Sequence, residues 1–168
     1  APVFAPANGT TFVDKLTVGA SCSTEGATIY YTKDGAEPTT GSDKFPTEGV
    51  TLTETTTLKA IAVKDGLDNS EVVTATYTKL EPYASLKALK ESGIATEEGK
   101  PCVVELKDAV VTYADSRKAY IQDETAGLYV FGSNKLKAGT KLNGVVAAQL
   151  ALYFGLYELK VDGGEFDN

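Results

Sequence analysis

The chain has 168 residues, a net charge of −7, and no His, Trp or Met. Because it lacks His, it cannot form a Ser-His-Asp or Cys-His nucleophile pair, a His-ligated zinc site, or an imidazole acid or base. Acidic residues outnumber basic ones in both halves, 10 to 6 before residue 81 and 13 to 10 after it, which disfavours nucleic acid as a partner.

The first half, residues 1–79, is predicted to be a small antiparallel β-sandwich without a helix. Of the 21 threonines, 17 lie before Leu80, and Asp-Gly, Asn-Gly or single Gly turn signals separate short runs of alternating polar and apolar residues. Such short alternating runs are typical of a two-sheet sandwich. The predicted strands cover residues 3–4, 16–20, 28–32, 50–52, 57–63 and 72–77.

Three stretches of this half resemble a known family. They are Pro-Val-Phe with Gly-Thr-Thr-Phe at residues 2–12, Ile-Tyr-Tyr-Thr-Lys-Asp-Gly with Glu-Pro-Thr at 29–39, and Thr-Leu-Lys-Ala-Ile-Ala at 57–62. Residues 1–79 thereby resemble the chitobiase/β-hexosaminidase C-terminal-type domain. The resemblance implies an Ig/fibronectin III-like sandwich appended to a secreted bacterial protein, with Phe45 as a packing variation where the family usually has Tyr.

Two polar segments of this half have both a binding and a structural interpretation. Tyr30 or Tyr31 could stack on a sugar ring beside Asp34, or one tyrosine fills the core while Asp-Gly makes a turn. Residues 65–69 contain three oxygen donors but lack the spacing of a calcium loop. We favour the structural interpretation of both, and we expect no metal site.

Residues 80–101 are predicted to be a linker that carries one short helix. Ser85 is placed to cap the helix, Leu86 and Leu89 share one face, and Lys90 is expected to point outward. A helix this short is not stable alone in water. We therefore expect it to pack against one end of the domain that follows.

Residues 102–168 are predicted to form a five-stranded barrel. Apolar and polar residues alternate along 102–113, 119–123, 127–131, 141–153 and 157–161, and a bulge is expected at 108–109. Five strands in about 60 residues, the first of them long, favour a small closed barrel. Only a short tail, residues 163–168, follows, which leaves open whether the barrel is complete at residue 168.

This half also resembles a known family. The stretches are Ala-Tyr-Ile-Gln-Asp-Glu-Thr-Ala-Gly-Leu-Tyr-Val-Phe at 119–131, Leu-Lys-Ala-Gly-Thr-Lys-Leu-Asn-Gly at 136–144 and Tyr-Phe-Gly-Leu-Tyr-Glu-Leu at 153–159. They are similar to OB-fold domains of secreted Bacteroidetes-type proteins. The resemblance implies an OB-like barrel with a binding face on its second and third strands.

The predicted ligand-binding residues lie on those two strands. If Ile121 and its apolar neighbours face the core, alternation turns a set of aromatic and amide side chains outward. That set is Tyr120, Gln122, Tyr129 and Phe131. They form a stacking platform for a sugar, a platform for single-stranded nucleic acid, or a surface covered by another part of the protein. Nucleic acid is the least favoured because nearby acidic residues offset Arg117 and Lys118.

These features together predict an all-β, non-catalytic chain. We expect no catalytic residues and no cofactor, since no carboxylate pair has a spacing that forces convergence and neither Cys22 nor Cys102 has a basic neighbour. The thiols are predicted to be buried and unpaired, with an interdomain disulfide as the alternative. No run of about 18 apolar residues is present, so no transmembrane segment is expected.

The predicted function is that of a structural or binding module of a secreted or cell-surface bacterial protein, with a glycan or another protein or domain as its partner. The alternatives are an accessory domain pair of a larger secreted enzyme, either a glycoside hydrolase or a nuclease, and a single-strand-binding OB-like domain. The missing Met favours a piece of a longer exported protein. Its location would be extracellular, periplasmic or at the cell surface, with any signal peptide or lipid anchor outside this sequence.

Overall fold

The computed structural model describes residues 1–132 and 135–161. The chain divides into two compact units, Ala1–Lys79 and Leu80–Asn168. Within the described residues there are 13 strands and one helix of six residues, so the predicted all-β class is confirmed. The question whether the barrel is complete at residue 168 concerns residues 162–168, which lie outside the described residues.

The first unit consists of two sheets. Its strands in chain order are β1 Val3–Ala5, β2 Thr11–Phe12, β3 Leu16–Ser21, β4 Thr28–Thr32, β5 Asp43–Lys44, β6 Val50–Leu52, β7 Thr56–Val63 and β8 Val73–Lys79. One sheet has the order β1-β3-β6 and the other the order β2-β8-β7-β4-β5. The expectation of antiparallel pairing is wrong for one pair of strands, because the two-residue strand β2 pairs in parallel with β8, and an isolated bridge between Asp34 and Thr57 is parallel as well.

The core of the first unit lies between these sheets. Tyr77 is fully buried, and its hydroxyl donates to the carbonyl oxygen of Pro6 at 2.9 Å. Tyr31 packs against the core, with its ring centroid 5.0 Å from that of Phe45. Asp34 accepts a hydrogen bond from the amide of Ala36 at 3.0 Å, as expected of an Asp-Gly turn. Tyr31 and the Asp-Gly turn therefore have the structural roles that we favoured.

The second unit contains a closed five-stranded barrel. Its strands are β9 Lys100–Ala114, β10 Lys118–Gln122, β11 Gly127–Phe131, β12 Lys141–Tyr153 and β13 Leu156–Lys160. The order around the barrel is β10-β11-β13-β12-β9, with β9 pairing back to β10. All neighbours are antiparallel except β11 and β13, which run in parallel.

The predicted bulge lies in β9, opposite β12. The register between the two strands shifts between Leu142 and Gly144, and Asp108 has a left-handed φ of 50°. The side chain of Asn143 supports this turn of the backbone, since its oxygen accepts from the amide of Asp108 at 2.8 Å. The bulge bends the long strand and allows the barrel to close.

The helix α1, Leu86–Glu91, belongs to the second unit. Ser85 caps it by accepting from the amide of Ala88, and Leu86 and Leu89 are fully buried in the barrel core. Lys90 is half-buried at the outer surface of the barrel, where it lines a cavity with Tyr120 and Tyr129. Its ammonium lies 3.4 Å from the carbonyl oxygen of Gly127 and 5.7 Å from the centre of the Tyr157 ring. Both the carbonyl oxygen and the ring face attract a cation.

Both cysteines are free thiols. Cys102 is buried in the barrel core, and this burial raises its pKa to about 11. Cys22 is half-buried in the first unit, and a hydrogen bond from the backbone of Thr24 lowers its pKa.

Candidate functional site

The β10–β11 hairpin turns the predicted site residues outward. Tyr120 pairs with Tyr129 across the two strands, and Lys118 pairs with Phe131. The alternate residues face the barrel core and are almost completely buried. They are Ala119, Ile121, Leu128 and Val130. This inward anchoring fixes the orientation of the outward side chains, because successive residues of a strand point to opposite faces.

The outward aromatic side chains form one continuous row over three strands. The ring centroids of Tyr113 and Tyr120 are 6.1 Å apart, and those of Tyr120 and Tyr129 are 5.1 Å apart. Phe131 continues the row at 6.4 Å from Tyr129. These separations lie within the range of about 4.5–7 Å at which tilted aromatic pairs attract each other. The row is therefore a preorganised apolar surface.

Two adjoining cavities run along this row, and we refer to them together as the aromatic groove. The larger one has a volume of about 630 Å³ and the smaller one about 330 Å³, both within the usual range of ligand sites. Both are lined by Tyr120, Tyr129 and Leu156. Phe131 lines the larger cavity and Gln122 the smaller one. The structure thus brings the four predicted residues together around the Tyr120–Tyr129 pair.

Sequence reasoning missed the opposite wall of the groove. Tyr153 and Leu156 pair with each other at the end of the β12–β13 hairpin, and both line the larger cavity. Glu158 and Lys160 complete it, since β13 runs beside β11 with Glu158 opposite Tyr129. Alternation along β12 could have assigned Tyr153 to the outer face, but only the barrel closure shows which strand lies next to β11.

The charges in the larger cavity balance. Glu97 and Glu158 face Lys118 and Lys160 there. Lys160 donates to the carbonyl oxygens of Glu97 at 3.2 Å and Glu98 at 3.4 Å, and its ammonium lies 3.9 Å from a Glu158 carboxylate oxygen. Because the Lys160 ammonium already contacts these oxygens, and Glu97 and Glu158 balance the two lysines, the cavity has little net positive charge to attract an anion.

Two phenols of the row, those of Tyr113 and Tyr129, have raised pKa values. The Tyr113 hydroxyl donates to Asp115 at 3.1 Å, and this bond raises the pKa of Tyr113. Burial, together with the Glu158 carboxylate, raises the pKa of Tyr129. Tyr129 therefore offers a ring face and a hydroxyl hydrogen-bond donor at ordinary pH, whereas the Tyr113 hydroxyl already donates to Asp115.

Arg117 contacts the Phe131 ring, which lines the larger cavity of the groove. Its guanidinium carbon lies 5.6 Å from the centre of the Phe131 ring, within the range of a cation–π contact. The neighbouring Asp115 accepts hydrogen bonds from the amides of Arg117 at 2.8 Å and Lys118 at 2.7 Å. These bonds fix the β9–β10 turn, and the amide of Arg117 contributes most to lowering the pKa of Asp115.

Asp123, next to the groove, has a structural task. Its carboxylate accepts from the amide of Leu86 at 2.8 Å, from the amide of Ala126 at 2.8 Å and from the Thr125 hydroxyl at 2.6 Å. Burial by itself raises its pKa, but these hydrogen bonds outweigh burial and lower it. Asp123 and Thr125 thus join the β10–β11 turn to the start of α1.

The described residues do not form a metal centre. Across residues 1–132 and 135–161, no three Cys, Asp or Glu side chains come together in a group that could hold a metal ion. Nor does that part of the chain contain a helix long and apolar enough to cross a membrane.

The comparisons with known proteins concern the first unit. Residues 6–74 match the family described as Chitobiase/beta-hexosaminidase C-terminal domain, and they include β2 to β7 and the start of β8. The resemblance predicted for residues 1–79 is confirmed to that extent. Neither a curated protein nor a solved structure matches the chain. The OB-fold resemblance of the second half and the Bacteroidetes-type origin stay predictions.

Proposed function

We propose that this chain is a non-catalytic accessory module of a larger secreted or cell-surface protein, and that it binds a neutral glycan through the aromatic groove. The match at residues 6–74 supports the accessory role, because that family is named for a C-terminal domain of chitobiase and β-hexosaminidase. The family is usually extracellular, which supports the location.

The strand order supports an OB-type assignment of the second unit. Five strands closed in the order β9-β10-β11-β13-β12, with one parallel pair, form a small Greek-key barrel. OB-type barrels bind oligosaccharides and oligonucleotides on the face of their second and third strands. In this chain those strands are β10 and β11, which present Tyr120, Tyr129 and Phe131.

The observation that carries the proposal is the aromatic row in a charge-balanced groove. Aromatic rings offer flat apolar faces on which sugar rings pack, while Gln122 and the tyrosine hydroxyls supply hydrogen-bonding groups. A nucleic acid would need an electropositive track along its phosphates. Lys160 and Arg117 already contact protein groups, and the balanced charges favour an uncharged ligand.

The proposed absence of catalysis rests on the chain's polar groups. It contains no His. Asp115 and Asp123 each accept two or more hydrogen bonds from backbone amides. The Glu158 carboxylate lies 3.9 Å from the Lys160 ammonium, so it faces a cation and not a second carboxylate there.

Binding can be tested by titrating the chain with chitohexaose and cellohexaose while following heat and tyrosine fluorescence. In the Tyr129→Ala variant we expect binding to weaken by about 1–3 kcal/mol, the value for loss of one ring that stacks on a nucleic-acid base, with the fold retained. The matched control is Tyr30→Ala, which removes a half-buried tyrosine from β4 of the first unit. It should bind like the unmodified chain.

The outcomes separate the candidate functions. Equal affinity of the Tyr129→Ala variant and the unmodified chain would remove the groove from glycan binding. Salt-sensitive quenching by an oligothymidylate, without binding of either hexaose, would favour single-stranded nucleic acid instead.

The accessory role has its own test in the gene that surrounds this sequence. A catalytic domain encoded on either side would support attachment to an enzyme such as a glycoside hydrolase. A signal sequence directly upstream together with a short tail downstream would contradict it, and would favour a free-standing adhesion or spacer module.

A further inference from the structure

The tip of the β12–β13 hairpin carries an unusual residue. Phe154 is 93% exposed, and its backbone has a left-handed φ of 48°. Gly155, the other residue of the two-residue turn, also has a positive φ, of 80°. A turn with two such residues joins antiparallel strands well, but it is normally made by Asn-Gly or Gly-Gly.

The backbone conformation of Phe154 is unfavourable for the folding of this hairpin. A bulky aromatic residue in the left-handed region is strained, because its Cβ crowds the neighbouring carbonyl. Its ring also remains in water, so the strain is not offset by burial in the described structure. An exposed and strained aromatic residue of this kind is more consistent with a contact to a ligand than with stability.

The position of Phe154 relates it to the aromatic groove. Its neighbours Tyr153 and Leu156 line the larger cavity, across from Tyr120 and Tyr129. The Phe154 ring packs edge-on against Tyr153, with 4.6 Å between the ring centroids and 74° between the ring planes. Phe154 itself lines neither cavity of the groove, but through this contact it lies directly beside Tyr153, which lines the larger one.

We propose that Phe154 is a specificity-determining clamp for a neutral oligosaccharide. One sugar ring lies on the Tyr120–Tyr129 surface, and the Phe154 ring packs against the exposed side of that sugar or of the next one along the chain. The inference rests on the proposed function, because it names a residue of the same site. The balanced charges of Glu97, Glu158, Lys118 and Lys160 argue for an uncharged occupant.

The test compares the full chain with its Phe154→Asn variant, using chitohexaose and cellohexaose as probes. Asn restores the preferred Asn-Gly turn, so we expect the unfolding midpoint of the second unit to rise by about 3–6 °C. The affinity for the hexaose that the unmodified chain binds should fall about tenfold or more, as for a lost stacking ring. Phe154→Tyr keeps the ring and should keep the affinity.

A matched control is Leu67→Asn, which removes an exposed apolar side chain from a turn of the first unit. It should leave the affinity unchanged. Equal affinity of the Phe154→Asn variant and the unmodified chain would overturn the clamp while leaving the proposed glycan binding intact. A lower midpoint would show that the contact of the ring with Tyr153 stabilises the fold by more than the turn strain costs, which removes the argument for the clamp and overturns it.

Two further outcomes would also decide against the clamp. If the unmodified chain binds neither hexaose, the proposed function fails and the clamp fails with it. If the unmodified chain self-associates and the Phe154→Asn variant is monomeric with the same affinity, the ring belongs to a contact between copies of this chain.

Discussion

At the scale of single residues, Asp123 shows how a polar group beside the groove is committed to structure. It is the one charged residue counted as buried among those that the structure describes. Each of its oxygens accepts at least one hydrogen bond, and these bonds connect the β10–β11 turn to the first residue of α1. A carboxylate so placed also stabilises the positive end of the helix.

Asp123→Ala is expected to destabilise the second unit by about 3 kcal/mol, because it leaves the amides of Leu86 and Ala126 without their acceptor. Urea unfolding measures this loss. Asp123→Asn, which keeps one acceptor oxygen, should be milder. A loss below about 0.5 kcal/mol for the Ala variant would show that water replaces the carboxylate.

The pH dependence of stability follows from the lowered pKa of Asp123. A carboxyl whose pKa is lower in the folded than in the unfolded state stabilises the fold above its unfolded pKa of about 3.9. That contribution disappears as the pH falls through the lower folded value. The difference in unfolding free energy between the original chain and Asp123→Asn should therefore shrink below about pH 4. A difference that is constant between pH 7 and pH 2.5 would contradict this.

At the scale of elements, α1 has only six residues and cannot be stable by itself. Its stability comes from Leu86 and Leu89, which are fully buried in the barrel core. Leu89→Ala should therefore destabilise the second unit by about 2–5 kcal/mol. Lys87→Ala, on the exposed side of the same helix, should change stability by less than about 0.5 kcal/mol. Equal effects of the two substitutions on thermal unfolding would contradict the packing of the helix on the barrel.

The sequence predicts those elements whose side chains alternate over several residues. The long runs that became β7, β9 and β12 have one face turned to a core, so a period of two reveals them. The strands β2 and β5 have two residues each, too few to show any period. The outward direction of Tyr120 and Phe131 also follows from alternation within one hairpin.

The opposite wall of the groove could not be predicted in this way. It depends on β13 lying in parallel beside β11, a pairing between segments far apart in sequence. The φ of Phe154 was equally inaccessible, because Phe-Gly predicts a turn without indicating which turn type strains the aromatic residue. Local patterns therefore identify the wall of the aromatic groove on β10 and β11. The opposite wall, on β12 and β13, follows only from the closure of the barrel.

At the scale of the whole molecule, each unit has a hydrophobic core of its own. The core of the first unit is built around Tyr77 and Leu58, and that of the second around Leu106 and Leu150. All residues that line the aromatic groove belong to the second unit. The proposed glycan binding is therefore assigned to the second unit alone.

We accordingly expect a truncated chain of residues 80–168 to fold and to bind the same hexaose as the full chain. Its affinity should agree within about twofold, because every groove residue and the buried face of α1 are retained. Residues 1–79 alone should fold but bind neither hexaose. Calorimetry of the binding and circular dichroism of the unfolding measure both expectations. If residues 80–168 fold but lose affinity, the first unit contributes directly to the ligand contact, and the assignment of binding to one core is wrong.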